Sequence, residues 1–229
     1  MHNYINFFAK KSDLIKPKNE FYDYNPKKVD KEKKEFVFEY KKILEPTVND
    51  YIILDFETTG FSPINEKILE IGAIKVIDGK IVDKFDELID PEKIIPPFIS
   101  SKINITNQMV FGKRKISSVL PELVQFIGKF PIIAHNAKFD MGFLIYNMQK
   151  LGFEFQNSVI DTLYLSRKLL KLKKNNLTFL ADYFGIEYNN AHRAFADVLA
   201  LFEVYKKLKE LYEKDALWFL FYFFICVNE

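Results

Sequence analysis

Residues 51–60, Tyr-Ile-Ile-Leu-Asp-Phe-Glu-Thr-Thr-Gly, decide how the rest of the chain is read. Four apolar residues run straight into Asp55-Phe56-Glu57, the texture of a short buried strand rather than of a helix face. Successive side chains on a strand point to opposite sides, so Asp55 and Glu57, two apart, share one face. Two ionised carboxylates side by side in apolar surroundings repel each other and resist burial, so they call for a cation, a proton or solvent. A metal ion is one answer; an exposed strand end carrying ordinary surface acids is the other.

Working outward, short apolar runs alternate with helix-period stretches, as in a mixed α/β domain. Ile68 to Ile77 and Lys80 to Ile89 read as strands joined by Asp78-Gly79, a dipeptide suited to the positive φ values of a type I′ turn. With the first strand they predict an antiparallel meander. Past a loop rich in Pro and Ser, Val119, Leu123, Phe126 and Ile127 mark a helical face, and PIIAH at 131–135 reads as a buried strand. A helix over Phe139 to Leu151, a strand end at Val159 to Asp161, and helices near Thr162 to Leu172, Leu177 to Phe184 and Ala194 to Tyr212 complete the order βββαβαβααα.

Composition sets the bounds. The 229 residues are 48% hydrophobic and 28% charged, enough to bury a sizeable core in one domain with an appendage. The single cysteine, Cys226, excludes an intramolecular disulfide and a Cys-rich zinc site. A net charge of +2 gives no global attraction to polyanions, and the excess lies within residues 1–50, which carry 11 Lys against 9 acids. The expected division is a charged extension over 1–50, a mixed α/β domain over 51–213 and an apolar tail over 214–229. The Lys27 to Lys34 cluster is either a solvated face or a contact to a nucleic-acid backbone. No secretory pattern opens the sequence, which places the chain in the cytoplasm on this reading. The run ALWFLFYFFICV at 216–227 is too short for a membrane span, which needs about 20 residues.

Two more acids occur where apolar residues are expected. Asp140 opens a helix after a buried strand, and its i+3 and i+4 neighbours are Phe143 and Leu144, so it sits on the apolar stripe. A carboxylate favoured by the helix dipole is the competing explanation, but that role wants a water-facing position. Asp197 shares a stripe with Ala194, Leu201 and Leu208, and His192 lies five residues before it. An imidazole, with an ordinary pKa of about 6.5, can accept a proton at neutral pH.

Three segments in this order, DFETTG at Asp55 to Gly60, HNAKFD at His135 to Asp140 and HRAFAD at His192 to Asp197, resemble the DEDDh family of DnaQ-like 3′→5′ exonucleases. The resemblance covers about Tyr51 to Leu211 and looks closest to the proofreading exonucleases of bacterial DNA polymerase III, of epsilon or PolC type. It implies an RNase H-like α/β fold, a mixed five-stranded sheet flanked by helices. It implies two divalent cations, Mg²⁺ or Mn²⁺, held by Asp55, Glu57, Asp140 and Asp197, with His192 as general base. The implied substrate is a single-stranded or frayed DNA 3′ end, releasing nucleoside 5′-monophosphates. A DNA polymerase is the implied partner and the bacterial cytoplasm the implied location. Thr58, Thr59, Asn136 and Glu70 are the candidate substrate contacts; Asp161 reads more simply as a helix cap than as a further ligand. The segment Lys102 to Thr106 departs from the family's Leu-Thr-Gly-Ile-Thr, with Asn104 at the glycine position, a mild change because Asn tolerates left-handed backbone. Two alternatives remain open: an exoribonuclease of the same superfamily, and a non-catalytic nucleic-acid-binding module.

Overall fold

Residues 29–30 and 35–227 are described in the computed structural model, with side chains for residues 36–215 and Leu217. The lysines of the 27–34 cluster and most of the charge-crowded stretch 16–35 lie outside the described residues. The described elements are β1 (Val29–Asp30), β2 (Glu35–Phe36), β3 (Lys41–Lys42), β4 (Tyr51–Thr58), β5 (Ile68–Ile77), β6 (Lys80–Leu88), α1 (Pro97–Ile103), α2 (Asn107–Val110), α3 (Ile116–Ile127), β7 (Ile132–Ala134), α4 (Lys138–Lys150), β8 (Ser158–Asp161), α5 (Thr162–Leu170), α6 (Leu177–Tyr183) and α7 (Ala194–Val227).

The main sheet has the order β3-β8-β7-β4-β5-β6. β4, β5 and β6 form the expected antiparallel meander, turning at Asp78 (φ 49) and Gly79 (φ 72), while β7, β8 and β3 continue it in parallel. The sheet is therefore mixed, as expected, with six strands in place of five. The sixth, β3, comes from within the N-terminal extension. Its two lysines carry no apolar alternation, and the strand exists only because the edge of β8 offers it hydrogen-bonding groups. The opposite edge, β6, is charged and largely exposed, which discourages further pairing.

Each face of the sheet carries a core. Ile52, Leu54 and Phe56 of β4 pack with Ile132, Ala134, Leu123, Phe143 and Leu144 under α3 and α4. Tyr51 and Ile53 point the other way and join Ile74, Ile133, Ile160, Leu201, Tyr205 and Leu208 beneath α5, α6 and α7. Asp55 and Glu57 continue the Tyr51–Ile53 row by the period-2 rule, so they emerge on the α7 face at the C-terminal end of β4. The Pro- and Ser-rich loop holds α1 and α2, too short for periodicity to reveal, which cover a satellite cluster around Leu69, Ile95 and Ile105. Asn104 takes the left-handed conformation at φ 55. α7 runs to Val227, well beyond the expected Tyr212, and among the described residues no helix is long and apolar enough to cross a membrane.

One glycine sets the distance between α7 and the sheet. Gly72 lies opposite Asp55 on β5, and a Cβ there would sit 2.4 Å from the Ala194 carbonyl carbon and oxygen and 2.6 Å from Phe195 N. Those are backbone atoms of the first turn of α7 and cannot swing aside. Gly72→Ala is expected to destabilise the fold by about 1–3 kcal/mol or more, the range of an overpacked core, and to displace Asp197 from the acids of β4. Denaturant unfolding alongside activity checks this; unchanged stability would mean that α7 can slide over the sheet.

Candidate active site

β7 stops at Ala134, three residues long, so it pairs with β4 only at Ile52 and Ile53. Phe56 N, beyond that pairing, would be an unpaired donor in the core. Asp140, in the first turn of α4 and only 2% exposed, answers it: its Oδ1 accepts from Phe56 N at 3.0 Å. This contact locks the Asp140 carboxylate to the strand between Asp55 and Glu57.

Asp197 is fixed from the other side. Its Oδ1 accepts from Tyr188 Oη at 2.6 Å and from His192 N at 3.0 Å. His192 adopts φ 66, a left-handed conformation that turns the chain into α7. One potential ligand atom from each of Glu57, His192 and Asp197 lies within 4.8 Å of the others. The expected residues Asp55, Glu57, Asp140, His192 and Asp197 are thus brought to one end of the sheet, from β4, α4 and the start of α7.

Burial and mutual repulsion dominate the electrostatics of these carboxylates. Burial, then the charges of Asp140, Asp197, Glu57 and Glu70, push the Asp55 carboxyl well above the usual carboxylate range. Burial, then Asp197 and Glu70, raises Glu57 to about 8 against Lys102 and Arg193, which pull the other way. Asp140 and Asp197 are raised as well, chiefly by burial. Hard oxygen donors gathered at this density fit Mg²⁺ or Mn²⁺ and would tolerate full ionisation only beside such charge. Asp55, Glu57, Asp140 and Asp197 are the residues that would hold the ions.

Glu57 makes the stability of the fold depend on pH. In the fold its pKa is about 8 against an ordinary 4.5, so its contribution is fully present below 4.5 and is lost as pH rises through 8. The melting temperature in EDTA is expected to fall between those values, and added Mn²⁺ to flatten or reverse the fall. A melting temperature in EDTA that does not fall across that window would contradict the electrostatic picture.

Three of the four expected substrate contacts have their side chains committed elsewhere. Thr58 donates to Gly60 O at 2.6 Å. Thr59, 1% exposed, joins its hydroxyl to Glu66 and to Lys67 N, closing the turn after β4. Glu70 is buried, at 1% exposure, and accepts from Arg193 Nε and Nη2 and, at 2.9 Å, from Ala194 N. It anchors the start of α7 and with it the His192 loop. Asn136 alone is exposed, at φ 60, with its N–H donating to Asp161 Oδ1 at 3.0 Å. Asp161 also accepts from Leu163 N at 2.9 Å, the expected helix cap.

Sequence reasoning missed Tyr188, Arg193, Gly72 and Phe61. A glycine inside a strand pattern is a signal of close backbone approach, so Gly72 was findable. Tyr188 and Arg193 are given meaning only by partners distant in sequence or by the turn between them. Phe61 is 78% exposed and touches Phe139, the neighbour of Asp140, with ring centroids 6.3 Å apart.

The chain is similar to known proteins along most of its described length. Residues 52–205 match the model of a protein family described as exonuclease. The chain is 44% identical over 167 residues to a PolC-type DNA polymerase III of Clostridium perfringens, and 39% identical over 173 residues to that of Halalkalibacterium halodurans. These alignments cover 71% and 74% of this chain but only 12% of each relative. Among solved structures, exonuclease X in complex with 5′ overhanging duplex DNA is 30% identical at a TM-score of 0.56, covering 69% of this chain and 92% of that one. E. coli exonuclease I in complex with a dT13 oligonucleotide shares the fold at a TM-score of 0.63 and 20% identity, covering 76% of this chain and 44% of that one. The RNase H-like expectation holds.

Proposed function

The chain belongs to the exonuclease family, and from that premise we propose that it hydrolyses DNA one nucleotide at a time from the 3′ end, in the manner of a polymerase III proofreading exonuclease. The observation that carries the proposal is the gathering of Glu57, His192 and Asp197 within 4.8 Å, beside Asp55 and a strand-locked Asp140. Divalent cations held by the four acids would supply Lewis-acid charge to the attacking water, the phosphate and the leaving 3′ oxygen.

The remaining roles fall to the protein's own side chains. His192 accepts the proton of the attacking water. Tyr188 and the His192 N–H hold Asp197 Oδ1 and so fix the carboxylate at the start of α7. Phe61 offers a largely exposed ring against Phe139, the neighbour of Asp140, on which the terminal base can stack, and Asn136 offers an exposed amide to the strand. The bond broken is the 3′ oxygen–phosphorus bond, and the product is a nucleoside 5′-monophosphate.

The substrate class is tested by degrading matched single-stranded DNA and RNA at equal concentration with Mg²⁺ or Mn²⁺. Faster release from DNA is expected. Faster release from RNA would overturn the DNA assignment in favour of an exoribonuclease accepting the 2′-hydroxyl, and release from neither would favour a binding module.

A further inference from the structure

A groove of about 870 Å³ opens next to the acids, between the segment Phe38 to Leu44 and the first two turns of α5. It connects with the site through Asn136 and Lys138, which lie in the segment leading from β7 to Asp140. Four basic side chains line it, Lys41, Lys42, Lys138 and Arg167, against two acids, Glu39 and Asp161. Asp161 is already engaged by two backbone N–H groups, so the groove presents a positive surface beside a strongly acidic centre. Tyr40 and the 43% exposed Tyr164 put aromatic surface between the charges.

One wall of this groove lies outside the segment shared with the exonuclease family, which begins at residue 52. The wall is nevertheless built into the domain. Phe36 stacks on Phe38 at 5.3 Å and meets Tyr146 of α4 edge-on at 5.2 Å, and Phe38 stacks on Tyr40 at 6.2 Å. The Phe38 ring passes over Gly142, where a Cβ would lie 3.2 Å from it. β3 then pairs with β8, and Ile43 N donates to Val159 O at 2.8 Å. Burial, with the charges of Asp161 and Asp140, pushes the Tyr40 phenol up to about 12.

We propose that this groove carries the single strand leading to the 3′ end, with Lys42 and Arg167 against its phosphates and Tyr40 and Tyr164 against its sugars and bases. The assignment rests on the exonuclease reading of the neighbouring site. A polyanion approaching four clustered carboxylates needs cationic protein surface along its path, and basic side chains interleaved with aromatics are what binds single strands without reading sequence. The N-terminal segment thereby becomes part of the substrate site.

The test uses the full chain and two measurements. One is binding of fluorescent oligo(dT), long enough to fill a single-strand site of roughly 4–16 nucleotides, with Ca²⁺ in place of Mg²⁺. The other is hydrolysis of the p-nitrophenyl ester of thymidine 5′-monophosphate, which has no upstream strand. Lys42→Glu with Arg167→Glu is expected to weaken oligo(dT) binding by about tenfold or more and to lower the salt slope by about 1.4, two single-strand phosphate contacts at about 0.7 each. Ester hydrolysis should stay within about twofold. The control pair Lys80→Glu with Lys129→Glu, placed at the other end of the strands, should leave both unchanged. Oligo(dT) binding unaffected by the groove pair, or weakened equally by the control pair, overturns the inference. If wild type hydrolyses neither substrate yet the groove pair selectively weakens binding, the exonuclease reading falls and the groove assignment stands.

Discussion

Asp55→Asn is expected to lower nucleotide release by on the order of 10³-fold and, in the same protein, to raise the melting temperature measured in EDTA. The rate follows from the loss of a cation ligand. Lewis-acid stabilisation of phosphoryl transfer is worth several kcal/mol, and about 1.4 kcal/mol is a factor of ten. The stability gain follows from the surroundings of Asp55, whose carboxyl is pushed up by burial and by Asp140, Asp197, Glu57 and Glu70. A neutral amide of the same shape removes that repulsion. Added Mn²⁺ should then stabilise the variant less than the wild type, because one of its ligands has gone. An ordinary structural acid would behave in the opposite way, its loss lowering stability and leaving the metal response intact. Calorimetric or fluorescence melts with EDTA and with Mn²⁺, beside a rate assay, separate the two.

His192→Asn is expected to reduce the turnover rate by roughly 10²–10⁴-fold, the usual contribution of a positioned general base. Asparagine is the informative replacement because His192 sits at φ 66, and Asn adopts left-handed backbone at low cost. The N–H that supports Asp197 is thereby kept. Stabilisation by Mn²⁺ should be close to that of wild type, in contrast to Asp55→Asn. Equal loss of the metal response in both variants would make His192 a cation ligand, a role its closeness to Glu57 and Asp197 also permits.

The acids were legible because each breaks a local rule. Asp55 and Glu57 interrupt a buried strand, while Asp140 and Asp197 occupy apolar helix stripes, and all four are held at the C-terminal end of β4 or against it. The β4–β5–β6 meander was equally plain, through Asp78-Gly79. Glu70 shows where local reading stops. β5 is buried on both faces, so it has no alternation from which to place one residue, and the partner that explains Glu70, Arg193, lies 123 positions away. The partners of Thr59 were hidden for a similar reason, since its hydroxyl answers Glu66 and Lys67 across a turn whose path the sequence does not state. β3 and the helices α1 and α2 were missed because two, seven and four residues are too few for a period to register. β3 is also the element that gives the groove its second wall.

The most direct test of the account is release of label from single-stranded DNA carrying either a 3′ or a 5′ label, with Mg²⁺ or Mn²⁺ and with EDTA. The 3′ label is expected to leave first, as a nucleoside 5′-monophosphate, only when a divalent cation is present, and to remain in place with Asp55→Asn. Release of the 5′ label first, or undiminished release in EDTA, would contradict the assignment of these five residues as a cation-dependent 3′-end hydrolase.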